Sequence, residues 1–283
     1  METVKVLKNI VYGETERENL TADIYLPLNR KSIPIVILIH GGAFQAGSKE
    51  MYENWGAYLA QNGFCAMSIN YRLSGPDYPS YPGVLEDVSK SINYLVAKAN
   101  EWELDPMNVA FVGDSAGAYL STLAALKSGI SSYRVKLIVS LYGVFDIVEW
   151  EEYTNRTRTD FVVGKLFGTS SFLGFDLYQE ANPMVQIEKV SRYHKFDTEF
   201  LLIYGEKDDI VIPEKQTIAF SNKLKALGIP YTIHSVSDWG HFWFTKNENM
   251  SSHSEEGDLT KEPISKIKPV IMDKLNSKLK KTI

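Results

Sequence analysis

The chain has 283 residues, 44% of them hydrophobic and 23% charged, with a formal net charge of −5. That length supports one large α/β core, and residues 1–283 read as a single domain. The acidic balance argues against a nucleic-acid partner. No apolar run approaches the ~20 residues of a membrane span, and Met1-Glu2-Thr3-Val4-Lys5 lacks the apolar core of a leader peptide. No membrane partner and a cytoplasmic location are therefore expected. The single cysteine, Cys65, excludes an internal disulfide. It lies in the apolar run Phe64-Cys65-Ala66-Met67, where a buried, inert thiol is expected.

Taken in chain order, Val4 to Tyr12 and Leu20 to Leu26 read as an antiparallel opening pair around the charged turn Gly13 to Asn19. Residues 33–39 form a continuous apolar run rich in β-branched side chains, as a strand buried on both faces requires. Tyr52 to Gln61 reads as a helix closed by Asn62-Gly63, and Phe64 to Tyr71 as the next strand. Val84, Val88, Ile92 and Leu95 share one face of a helix expected from Pro82 to Asn100. A strand at Asn108 to Val112 runs into Gly113-Asp114-Ser115-Ala116-Gly117, and a helix from Ala118 to Lys127 follows. Val135 to Leu141 is another strand. Residues 144–195 break the rhythm and read as an irregular cap or lid insert. The rhythm returns with a strand at Phe200 to Tyr204, a helix from Pro213 to Leu227 and a strand at Tyr231 to Val236. Thr245 to Glu262 reads as a polar loop. Pro269 to Lys280 reads as a closing helix whose lysines form a solvated face. This alternation predicts a mostly parallel, eight-stranded, doubly wound α/β sheet with antiparallel N-terminal strands. Ligands of such sheets bind at the carboxyl ends of the strands.

Gly-x-Ser-x-Gly between a strand and a helix is the pattern of a nucleophile elbow. Serine needs a base within hydrogen-bond reach, and the base needs an orienting partner. Of the five histidines, His40 ends a buried strand and is placed to shape the loop after it. His234 lies inside a strand, His194 in the irregular insert and His253 in the polar loop. His241 follows the last strand, in Asp238-Trp239-Gly240-His241-Phe242, and is the expected base. The loop after the penultimate strand, Gly205-Glu206-Lys207-Asp208-Asp209, offers three carboxylates. Asp208 is preferred as the orienting acid, with Asp209 second; the bland alternative is an acidic turn that caps the next helix. Oxyanion donors are expected from the backbone N–H groups of Gly42 and Ala116, with Gly41 as a further candidate. Phe44, Trp150, Phe172, Trp239 and Phe242 are candidates to line a substrate pocket.

The motifs His40-Gly41-Gly42-Ala43-Phe44, Asn70-Tyr71-Arg72-Leu73, Gly113-Asp114-Ser115-Ala116-Gly117, Gly205-Glu206-Lys207-Asp208-Asp209 and Gly240-His241-Phe242 resemble those of the α/β-hydrolase superfamily over nearly the whole chain. The resemblance is greatest to the hormone-sensitive-lipase-related esterases and the acetyl-esterase and feruloyl-esterase-like proteins beside them. Phe172-Leu173-Gly174 and Ala181-Asn182-Pro183 resemble the post-cap region of the latter group. The resemblance implies a serine carboxylesterase working through an acyl-enzyme on small-molecule esters, with no metal or organic cofactor. Ala43 departs from the His-Gly-Gly-Gly pattern. A compact, aromatic-flanked site favours short-acyl or aryl esters. The competing readings are an arylformamidase- or peptidase-like amide hydrolase and a non-catalytic ligand receptor on the same fold.

Overall fold

The computed structural model describes residues 3–128, 132–157, 162–193, 196–245 and 257–280. Its strands are β1 (Val4–Glu14), β2 (Asn19–Pro27), β3 (Ile33–Ile39), β4 (Cys65–Ile69), β5 (Leu104–Asp114), β6 (Val135–Leu141), β7 (Glu199–Gly205) and β8 (Tyr231–Val236). They form one eight-stranded sheet in the order β1-β2-β4-β3-β5-β6-β7-β8. β1 and β2 pair antiparallel, as do β2 and β4, and every pairing from β4 across to β8 is parallel. This is the architecture expected from the alternation of elements. The α-helices are α1 (Glu53–Gln61), α2 (Gly83–Ala97), α3 (Ala116–Lys127), α4 (Ile147–Thr157), α5 (Val162–Phe167), α6 (Phe175–Glu180), α7 (Pro183–Tyr193), α8 (Thr217–Leu227) and α9 (Ile264–Leu279).

β3, in the middle of the sheet, is apolar and buried at every position because both faces are covered. Ile33, Ile35, Ile37 and Ile39 of β3 enter one core, while Val36 and Leu38 enter the other, as the two-residue period of a strand dictates. α1 and α9 pack on the second face through Trp55, Leu59, Ile267, Ile271 and Leu275. α2, α3 and α8 cover the first. No side chain caps the start of α2, a loss of about 1 kcal/mol. Val84, Val88, Ile92 and Leu95 are all fully buried at about 2 kcal/mol each, so core packing holds this helix in place.

The described residues of the segment 144–195 are mostly helical where its sequence reads as irregular. α4 buries Ile147, Trp150, Glu151 and Thr154, which is helical spacing. Two of those four positions are polar, which hides the apolar period. Glu151 is satisfied inside by the Tyr178 hydroxyl at 2.6 Å and the Ser171 N–H at 2.9 Å. α5 and α6 span under two turns each, too short to show a period. α9 begins at Ile264 and carries Pro269 inside it, so the proline that reads as a helix start sits in its second turn. The α9 lysines are not simply a solvated face. Lys274 reaches Glu199 at 2.6 Å and Thr232 at 2.8 Å, and Lys278 also pairs with Glu199. Residues 246–256 of the expected polar loop lie outside the described residues. Among the described residues no helix is long and apolar enough to cross a membrane.

Candidate active site

The chain leaves β3 through α1 to β4 on one side, then returns through α2 to β5 on the other. This reversal opens a crevice at the carboxyl ends of β3 and β5, where doubly wound sheets place ligands. His40-Gly41-Gly42 leaves β3 there, and Ser115 leaves β5. The loops after β7 and β8 reach the same edge with Asp208 and His241.

Ser115 is held at φ 51°, ψ −117° between β5 and α3, a conformation that is costly for a residue with a side chain. Its neighbours make room for the turn. A Cβ on Gly117 would lie 2.0 Å from the Ile39 carbonyl oxygen, so the backbone of α3 can meet the end of β3 only with glycine there. The Ser115 N–H is anchored to the Leu141 carbonyl at 2.9 Å.

A continuous hydrogen-bonded chain leads away from the serine. His241 Nε2 lies 3.0 Å from Ser115 Oγ, and His241 Nδ1 lies 2.6 Å from Asp208 Oδ2. A carboxylate only accepts, so Nδ1 carries the proton toward Asp208 and leaves Nε2 free to accept from the serine hydroxyl. The imidazole and carboxylate side chains are essentially buried, at 1% and 0% exposed. Asp208 Oδ1 accepts the N–H groups of Ile210 at 3.0 Å and Val211 at 2.9 Å, which fixes the carboxylate plane. Asp209 and Glu206 are exposed, so the structure brings only the first-preferred carboxylate to the histidine. The loops that carry Asp208 and His241 are also joined directly, by the Lys207 N–H to the Trp239 carbonyl at 2.9 Å. Of the other histidines, His40 is buried, His234 is half-buried on β8, and His194 and His253 lie outside the described residues.

The structure separates the three expected oxyanion donors, two in the loop after β3 and one at the start of α3. Gly41 N–H is consumed: it donates to Asp114 Oδ1 at 3.0 Å, which corrects its candidacy. Gly42 sits at φ +106°, and a Cβ there would lie 2.1 Å from the Ala46 carbonyl oxygen. Its carbonyl accepts from Gln45 and Ala46, both at 3.0 Å, closing a tight turn. No side chain caps α3, so the helix N-terminus at Ala116 stays open beside Ser115. His40 braces the loop. Its Nδ1 lies 2.7 Å from the Gly41 carbonyl, its ring stacks on Tyr71 at 4.3 Å, and burial lowers its pKa to about 4, so it stays neutral.

Asp114, a spacer in the sequence motif, ties the loop after β3 to the turn at Ser115. Its Oδ1 holds both Gly41 N–H and the Tyr52 hydroxyl at 2.9 Å, and burial raises its pKa to about 6. From roughly pH 4 to pH 6 the folded chain keeps a proton that the unfolded chain releases. Stability conferred at low pH is therefore lost as pH rises through that window, by about 3 kcal/mol. Asparagine preserves the acceptor and does not titrate. In urea denaturation, Asp114→Asn is expected to gain about 3 kcal/mol on the wild type between pH 4 and pH 7; a pH-independent difference would contradict this. Tyr142 is a second residue the sequence does not single out. Its ring lies 4.4 Å from that of His241 and backs the imidazole.

Above Ser115 lies a cavity of about 250 Å³, walled by Gly42, Ala43, Met51, Trp150, Val162, Ile210, Phe242 and Thr245 among others. Trp150 and Phe242 line it as expected, and three other aromatic candidates do not. Phe44, at φ +64°, is fully buried in the core beneath. Phe172 is 90% exposed on the surface. Trp239 packs against the core on the α9 face.

Residues 22–224 match the family model described as BD-FAE. The chain belongs to the BD-FAE family. It is 26% identical to esterase LipC of Mycobacterium tuberculosis, over 78% of this chain and 55% of LipC. It is 24% identical to the isoprenylcysteine alpha-carbonyl methylesterase ICME of Arabidopsis thaliana, over 79% of this chain and 53% of ICME. The chain thus spans about half the length of the curated relatives it matches. Its fold is similar to esterase B from Lactobacillus rhamnosis, with a TM-score of 0.76, 21% identity and coverage of 97% of this chain and 85% of the other. It is also similar to esterase Est2 of Thermogutta terrifontis bound to butyrate, with a TM-score of 0.72, 17% identity and coverage of 98% and 93%.

Proposed function

We propose that this BD-FAE protein is a serine carboxylesterase acting on short-acyl or aryl esters. The observation that carries this reading is the chain Ser115–His241–Asp208, at 3.0 and 2.6 Å, on the floor of an apolar cavity. As Ser115 Oγ attacks the ester carbonyl, His241 Nε2 takes its proton. Asp208 holds the tautomer and stabilises the imidazolium. The N–H groups of Gly42 and Ala116 receive the oxyanion, each worth about 3 kcal/mol in the transition state. His241 then protonates the leaving alkoxide as the acyl–Ser115 ester forms. In the second half it takes a proton from the water that attacks the acyl carbonyl, and returns it to Ser115 Oγ as the acyl–oxygen bond breaks and the acid leaves.

Cavity size and chemistry support the substrate class. About 250 Å³ holds a short acyl or single aromatic group, and among the described residues no lysine or arginine lines it, which suits uncharged esters. Helices α4 to α7 form the cap of this reading, with α4 and α5 roofing the cavity through Trp150 and Val162. We place the enzyme among small-molecule esters in the cytoplasm, without a membrane or nucleic-acid partner.

The test is a panel of p-nitrophenyl esters from acetyl to decanoyl, a feruloyl ester, N-formylkynurenine and a peptide anilide, run beside a fluorophosphonate probe. Acetyl to butyryl esters are expected to turn over best, with one label per chain on Ser115. Absence of both ester turnover and label would refute the reading; faster turnover of the amides would redirect it.

A further inference from the structure

The cavity wall is built mostly from small or adaptable groups. Gly42, Ala43, Ala46 and Gly47 contribute little bulk, and Met51 is an unbranched chain that adjusts to what it meets. Phe242 is tied to the position of His241 next to it. Trp150 is different. It is the largest side chain lining the cavity, and it projects from α4 instead of a loop that ends a strand.

Trp150 is also held in place. Its Nε1–H donates to the Ile210 carbonyl at 3.0 Å, inside the loop whose N–H groups grip Asp208. Its ring meets Phe44 edge-on at 6.4 Å, just after Ala43 in the oxyanion loop. The helix behind it is fastened as well. Tyr153 Oη donates to the Asp209 carbonyl at 2.6 Å. The buried Gln216 accepts the N–H groups of Phe145 and Asp146 and donates to Glu149, all at 2.8 Å. Asp146 Oδ1 accepts the N–H groups of Val148 and Glu149, both at 3.2 Å, and the Asn182 amide at 3.0 Å. Swinging the indole aside would leave its N–H and the Ile210 carbonyl unpaired in a partly buried place, which is unfavourable.

We propose that Trp150 is the size-determining residue of the site: its indole sets how long an ester substituent can reach Ser115, and its bond to the acid loop makes that stop rigid. The proposal rests on the esterase reading above. A pocket wall that yields discriminates weakly between chain lengths, whereas a fixed one excludes each extra methylene it meets.

Two substrate series test it, p-nitrophenyl esters of increasing acyl length and alkyl acetates of increasing alcohol length. In Trp150→Ala, the long-to-short ratio of kcat/KM (octanoyl to acetyl in the acyl series, octyl to ethyl in the alcohol series) is expected to rise at least tenfold in one series, which identifies the ester half that meets the indole. Trp150→Phe, which keeps a ring but loses the N–H, is expected to shift the same ratio by a smaller factor. Ratios within twofold of wild type in both series, for a Trp150→Ala protein that is folded by circular dichroism and labels with fluorophosphonate, would overturn the proposal alone. If the alanine variant does not fold, Trp150→Leu is judged by the same ratios. A wild type that neither cleaves esters nor labels overturns the esterase reading and this proposal with it.

Discussion

Ser115→Ala is expected to lower kcat/KM on p-nitrophenyl acetate about 10⁶-fold, to the background left by binding and oxyanion contacts. The hydroxyl is the only group the proposed mechanism leaves to form the acyl-enzyme. His241 lies 3.0 Å from it and is already committed to Asp208 on its other nitrogen. Alanine inherits the φ 51° backbone at this position and adds no bulk, so the urea midpoint is expected to stay near that of the wild type. Fluorophosphonate labelling should vanish with the turnover. A folded Ser115→Ala protein that still cleaves the ester at more than a hundredth of the wild-type rate would remove the serine from the mechanism.

Asp208→Asn is expected to cost about 10⁴-fold in kcat, with KM little changed. The substitution is nearly isosteric, so the effect comes from hydrogen-bond polarity. Oδ1 of the native carboxylate accepts two backbone N–H groups, from Ile210 and Val211, and Oδ2 accepts from His241. An asparagine that keeps its oxygen on the two N–H groups must present its NH₂ to His241 Nδ1. The imidazole then has to accept at Nδ1 and carry its proton on Nε2, facing Ser115. In that tautomer the serine cannot be deprotonated. Steady-state kinetics on the acetyl ester reads this directly. A loss below tenfold would mean that another carboxylate orients the histidine, and Asp209→Asn would then be the variant to measure.

Much of this arrangement is legible in the chain. β3 declares itself through seven consecutive apolar residues, because a strand covered on both faces has no polar position to spare. The motifs around Ser115, Asp208 and His241 stand in chain order at the ends of strands, and parallel pairing of β5, β7 and β8 carries all three to one edge. The helices of this insert were not legible, because α4 turns Glu151 and Thr154 inward and satisfies them there. Nor did aromatic character reveal the cavity wall. Phe44, Phe172 and Trp239 are as aromatic as Trp150, yet one lies in the core, one in solvent and one on the far face.

Sequence by itself determined the sheet, its mixed opening and the three loops that carry the serine, histidine and acid, since these depend on local apolar periods and on glycines that only tight turns require. Tertiary structure decided which neighbour of each motif does what. It spent the Gly41 N–H on Asp114, buried Asp208 while leaving Asp209 in water, and set Trp150 across the cavity. Each of these choices is a contact between segments distant in the chain, 73 residues apart for Gly41 and Asp114 and 60 for Trp150 and Ile210. Local periodicity and composition carry no record of such pairings, because they are fixed by packing and hydrogen-bond satisfaction only after the sheet has formed.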